Sequence, residues 1–139
     1  MATTTATITL ASTDIADNAL NISNTATFYT AGTDTGITET TGLARKKTNS
    51  GSNTVLLDSG AGAAADVTAD KSAKVYIKNI NDRGDGTKYV TILLTAVEIG
   101  RLYGGDWMLI PWSGGSGKDI EFTASDTTET TLEYCVFYE

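Results

Sequence analysis

Four stretches in the second half of the chain alternate apolar and polar side chains with a period of two, and no stretch carries a convincing helical stripe. Alternation puts successive side chains on opposite faces of an extended backbone, so these runs bury one face as strands. In AKVYIKNI, Val75, Ile77 and Asn79 share one face, opposite Tyr76, Lys78 and Ile80. KYVTILLTAVEI, taken as one run, sets Val90, Ile92, Leu94 and Ala96 against Tyr89, Thr91, Leu93 and Thr95. KDIEFTAS opposes Ile120, Phe122 and Ala124 to Asp119, Glu121 and Thr123, and TTLEYCVFYE opposes Leu132, Tyr134, Val136 and Tyr138 to Thr131, Glu133, Cys135 and Phe137. The predicted core is Val75, Ile77, Val90, Ile92, Leu94, Phe122, Leu132, Tyr134 and Val136. NDRGDGTK, between the first two runs, contains Asp85-Gly86, which tolerates positive φ and predicts a hairpin turn.

The expectation is an all-β, antiparallel β-sandwich, jelly-roll-like or immunoglobulin-like. Residues 73–139 form its core. Residues 1–72 supply N-terminal strands and loops, packed on the same domain or reaching a neighbour as an extended arm. TATITLAS and NTATFYTAG read as strands, with DIADNALNIS between them as a loop or short strand. Of eleven aromatic residues only Phe28 and Tyr29 precede residue 75, so the first half is poorly equipped to close a core alone. RKKTNSGSN (45–53) and SGAGAAADVTADKS (59–72) read as loops around a short strand TVLLD, with a helical turn at the alanines 63–65.

Charge and absent residue types narrow the chemistry. Seventeen acidic against ten basic residues give a net charge of −7, which argues against a nucleic-acid partner and against anionic membranes, both of which need Lys and Arg. No apolar run approaches the roughly 20 residues of a membrane span, and the N-terminus lacks the basic and apolar segments of a signal peptide. With no histidine, a histidine base or a Ser-His-Asp triad is excluded, and Cys135 as the single cysteine rules out an internal disulfide and a multi-cysteine zinc site. No cofactor or metal is expected. GGSGKD (114–119) resembles a phosphate loop but has Trp112 in place of the distant glycine and Asp119 in place of the magnesium-binding hydroxyl. A turn between strands is the better reading. NDRGDGTKY fails as a calcium loop at Arg83 and Ile92, and Arg83-Gly84-Asp85 is a tripeptide that a turn favours anyway. Asp106, Asp119, Glu121, Asp126, Glu129 and Glu133 read as exposed strand carboxylates rather than an active site.

Both tryptophans and the only proline fall in RLYGGDWMLIPWSGGSGKDIEF (101–122), where a Gly104-Gly105-Asp106 turn precedes a compact apolar run. Pro111 cannot donate to a ladder and marks an edge strand or its end. Trp107, Leu109 and Pro111 face one way and Met108, Ile110 and Trp112 the other, so both faces ask for cover, within the domain or from another chain. Trp107, Met108, Leu109, Ile110 and Trp112 are one candidate interface; Arg45, Lys46 and Lys47, the only basic run, are a second, facing an acidic partner.

The succession KVYIKNI, YVTILL, EIGRLYGGDWMLIPWS, DIEFTAS and TLEYCVFYE, with the Thr-rich opening TATITLASTDI, resembles small virion structural proteins of tailed bacteriophages, marine ones in particular. The resemblance covers mainly residues 73–139, leaves 30–72 unmatched and carries no ligand or catalytic residues. It implies a capsid decoration (cement) protein on the outer head surface, or a neck, tail or head-fibre component. The implied partners are the major capsid protein or other virion proteins, in a homo-oligomer with a trimer favoured. Two other classes are weighed beside it: a carbohydrate-binding sandwich stacking sugars on Tyr103, Trp107 and Trp112, and an enzyme with two carboxylates converging in one pocket.

Overall fold

A computed structural model describes residues 4–13, 19–30, 32–48, 51–59, 73–84, 88–114, 117–125 and 129–139. They form two compact units, Met1–Thr38 and Glu39–Glu139. The division falls after Thr38 rather than after residue 72, because the strands between those points are ladder members of the sandwich.

The second unit holds β3 (Glu39–Thr40), β4 (Ala44–Thr48), β5 (Thr54–Leu57), β6 (Ala73–Asn79), β7 (Tyr89–Leu94), β8 (Val97–Tyr103), β9 (Trp107–Trp112), β10 (Ile120–Ala124) and β11 (Thr130–Tyr138). Every pairing is antiparallel. One sheet has the order β5-β10-β7-β8; the other runs β3-β11-β6-β9, with β4 also on β11. Taking β3 and β4 as one bulged edge strand, the orders are β4-β11-β6-β9 and β5-β10-β7-β8, and only β7 and β8 are sequence neighbours that pair. Every other step crosses to the opposite sheet. That weave is a jelly roll, whereas an immunoglobulin sandwich would pair several successive strands side by side.

Both sheets contribute to one core that includes Leu57, Val75, Ile77, Val90, Ile92, Leu102, Trp112, Ile120, Phe122, Leu132 and Val136. Period-two patterning is realised directly: β6 and β10 alternate buried and half-buried residues from end to end. Of the predicted core, Tyr134 packs on its margin. Leu94 departs, at 36% exposed, while its neighbour Leu93 is buried. Leu94 keeps the side of Ile120, with which it pairs, but stands at the strand's end where it lines an open cleft; the extra residue in the β7–β8 pairing is Ile99, on β8. A bulge breaks the strict alternation and twists the strand.

Three further expectations are corrected. The run 88–99 is two strands, because Thr95 and Ala96 turn the chain with φ of 48° and 63°. Two successive positive φ values are the signature of a type I′ hairpin turn, here without its usual Asn or Gly. Tertiary contacts hold it: Thr95 N–H donates to the Asp119 carbonyl (2.9 Å), the Thr95 hydroxyl to the Gly117 carbonyl, and Ala96 N–H to a Glu121 carboxylate oxygen (2.7 Å). Second, 80–88 is no hairpin, since β6 and β7 lie in different sheets. This segment clamps the Gly104-Gly105 turn instead: Arg83 Nε donates to the Gly104 carbonyl (3.0 Å) and its guanidinium pairs with Asp106. Asp85-Gly86 lies outside the described residues. Third, 45–48 is strand β4, not loop.

The first unit is built on β1 (Thr5–Ser12) and β2 (Leu20–Thr27), an antiparallel ribbon in unbroken register from Thr5↔Thr27 to Ser12↔Leu20. The second strand takes in the end of DIADNALNIS, the segment read as a loop or short strand, and Phe28 lies just past its end. The alanines 63–65 fall outside the described residues.

Candidate functional site

Among the described residues β9, of sequence WMLIPW, pairs only with β6 and so forms a sheet edge. Its inner face follows the core reading: Trp112 is buried, its indole N–H donating to the Lys118 carbonyl (2.7 Å), and Met108 and Ile110 pack on the core. Its outer face is different. Trp107 is 50% exposed, Pro111 is exposed and Leu109 is half-buried. The two alternatives for this run therefore each hold for one face.

Register extends this outer face across the sheet, because directly paired residues share a side. Trp107 lies opposite Lys78, which lies opposite Glu133 and then Arg45. Leu109 is followed by Tyr76 and Cys135, and Pro111 by Lys74 and Phe137. Tyr76 and Trp107 stand with ring centroids 6.3 Å apart, tilted by 36°. Partial burial, helped by the Glu133 carboxylate, pushes the Tyr76 phenol above its ordinary pKa, so the ring stays neutral. The result is an aromatic and aliphatic plate of Tyr76, Trp107, Leu109, Pro111 and Phe137, with Lys74 and Lys78 between its members. Tyr76 and Phe137 were not singled out from sequence. Only strand order brings them beside β9, and a pattern of alternation does not contain strand order.

Where the β8 and β9 edges meet, the sandwich opens into an apolar cleft of about 330 Å³, lined among others by Leu94, Ile99, Ile110, Pro111 and Trp112. Val97 and Ile99 beside it are 65% and 47% exposed. Next to Lys118, which lines the cleft, the Asp119 carboxylate accepts from the Ser59 hydroxyl and from Ser59 N–H (2.9 Å). These two bonds hold the Asp119 carboxyl below its ordinary pKa. Ser59 in turn accepts from Lys118 N–H (2.9 Å).

The basic run is placed differently from the free loop expected. Arg45 pairs with Glu133 of β11 (3.1 Å) and Lys47 with Glu129, the residue just before β11 (2.7 Å). Lys46 is half-buried opposite Leu132. Basic residues and a bulge on an edge strand are the means by which sheets discourage further strand addition, and here the bulge sits at Thr41–Leu43, between β3 and β4. Arg45 and Trp107 end up at opposite ends of one row; Lys46 faces inward, away from it.

The three rings considered as a sugar platform are separated: Trp112 is in the core, and Tyr103 packs on Tyr89 with centroids 5.6 Å apart. Asp82 and Glu129 line a pocket of about 180 Å³, both solvent-exposed, with Glu129 held by Lys47. Among the described residues no group of three or more Asp, Glu or Cys side chains is placed to hold a metal. Compared with known proteins, the chain matches no family model, no curated protein and no solved structure.

Proposed function

We propose that this is a non-enzymatic structural protein that works by adhering, through the outer face of β9, to a larger assembly. The assembly is a phage-type virion, on whose head shell the protein acts as a decoration (cement) protein, as a homo-oligomer. The observation that carries the reading is a charge-free edge strand whose outward residues are Trp107, Leu109 and Pro111, continued by Tyr76 and Phe137. Aromatic anchors in such patches supply a disproportionate share of interface energy. The jelly roll supports the virion half of the proposal, since viral capsid domains use it, though only as analogy at the level of fold. The strand succession that resembles phage virion proteins supports it independently.

Lectin domains also use the jelly roll, and an exposed Trp107 beside Tyr76 is a two-ring surface on which a sugar stacks. One experiment separates the readings. The protein is mixed with purified heads of a phage that carries this sequence, sedimented, and its copy number quantified; the same preparation is applied to a glycan array. Saturable binding to heads, lowered about tenfold or more by Trp107→Ser, is the expected result. Glycan binding without head binding would overturn the proposal. Because Trp107 is half-exposed, the variant should keep its melting temperature.

A further inference from the structure

The outer face of the sheet that ends in β9 carries charge as well as apolar surface. Lys78 stands between Trp107 and Glu133, and Lys74 between Pro111 and Phe137, in rows to either side of Tyr76. The two lysines share one face of β6, about 13 Å apart at the rise of four strand residues. Both are half-buried, as lysines are when the stem lies along apolar surface and the ammonium stays in water. The carboxylates around this face are already engaged. Glu133 accepts from Arg45 and Glu129 from Lys47; Asp106, just before Trp107, holds Arg83; Glu139, just past β11, has an interaction of its own. Among the described residues Lys74 and Lys78 form no ion pair, and Lys74 makes only a long bond of 3.5 Å to the Ala73 carbonyl. A chain of net charge −7 has acidic groups to spare, yet it leaves these two cations unneutralised beside its exposed aromatic rings.

Those cations select what can dock. Any surface that covers Tyr76 and Trp107 also strips water from the two ammonium groups, and a cation desolvated without a counter-charge opposes binding. A neutral or basic partner therefore meets a cost that an acidic one does not. We propose that the shell protein met by this face is acidic there: its carboxylates pair with Lys74 and Lys78, on either side of an apolar contact centred on Tyr76. This rests on the reading of the outer face of β9 as the docking surface, and names the chemistry of the surface it meets. The positive charge expected of the basic run is supplied by β6 instead, since Arg45 and Lys47 are held by carboxylates of their own chain.

The test is binding of the full chain to purified heads of a phage that carries this sequence, at low and at high salt. Wild-type affinity should fall as salt rises, because screening weakens the pairs. The double variant Lys74→Gln, Lys78→Gln should bind about tenfold more weakly and with a shallower salt dependence. Reversing both charges, Lys74→Glu with Lys78→Glu, should weaken binding by about a hundredfold or more. Arg101→Gln removes a cation from the other sheet and should bind as the wild type does. Heads whose surface carboxylates have been converted to neutral amides, with carbodiimide and ethanolamine, should bind the wild type poorly. Melting temperatures check that the variants are folded, and the amidated heads carry the test if one of them is not. Affinity indifferent to salt, an unchanged glutamine variant, an equal loss in Arg101→Gln, or undiminished binding to amidated heads would each overturn the inference. Retention by sulfated glycans with no binding to heads would assign the two cations to an acidic sugar and overturn it as well. Head binding that is lost in Trp107→Ser but kept in both lysine variants would remove this inference alone and leave shell docking standing. A wild type that does not bind heads removes both.

Discussion

Ile92 and Phe122 face each other across β7 and β10, and both are fully buried. Truncating either to alanine leaves a cavity between the sheets and should cost about 2–5 kcal/mol in chemical denaturation. The same change at Leu94 should cost less than either, because that side chain lies at the open cleft and is 36% exposed. Two polar positions are as demanding as the core. Asn79 is buried, donates to the Leu102 carbonyl (3.0 Å) and accepts from Asn81 N–H (3.1 Å). Asn79→Ala orphans both partners and should cost about 1–3 kcal/mol. A Cβ at Gly104 would lie 2.5 Å from the backbone oxygen of Asp82. Backbone cannot yield as a side-chain tip does, so Gly104→Ala should be destabilising by about 1–3 kcal/mol. Urea midpoints of the two variants check both statements.

Among elements, the turn between β7 and β8 is held against local preference. Ala96 sits at φ 63°, where its Cβ crowds the following carbonyl. Its N–H bond to Glu121 needs no side chain, so Ala96→Gly should stabilise by roughly 0.4–1 kcal/mol, a gain readable as a higher urea midpoint at unchanged slope. Thr95 should resist exchange, since its hydroxyl is bonded to the Gly117 carbonyl. This turn also shows where the sequence was legible and where it was not. Alternation correctly marked β6, β7, β10 and β11 and their buried faces, because each buries one side and the pattern is local. The turn at 95–96 lacks Gly, Pro, Asn and Asp, since distant bonds impose it, and the alternation was therefore read straight through it. Asp85-Gly86 lies outside the described residues, and the strands on either side of it, β6 and β7, belong to different sheets. Of the candidate interface, residue spacing identified β9 as two-sided and as an edge. Its partners on the plate depend on β6 and β11 flanking one another, which no local pattern encodes.

For the whole molecule, acidity and stability are linked through Asp119. Asp119 joins the segment after β5 to the loop before β10, and its carboxyl is held below the usual carboxylate range by Ser59. A depressed folded-state pKa contributes stability that is present above the unfolded value and lost as pH falls through the folded one. The difference in stability between wild type and Ser59→Ala should therefore be full near neutrality and shrink on acidification below that range. A difference that is constant down to strongly acid pH would show that the bonds to the carboxylate do not contribute in this way.

The order of strands in the sheet containing β9 has a consequence for synthesis. β4 and β6 do not pair with each other; each pairs with β11, which is made long after both. Until Thr130–Tyr138 leaves the ribosome, β6 and β9 can pair with each other, but that sheet has a gap beside β6 and β4 has no ladder to join. By contrast, every residue paired in the β1–β2 ribbon has been made once the chain reaches Thr27.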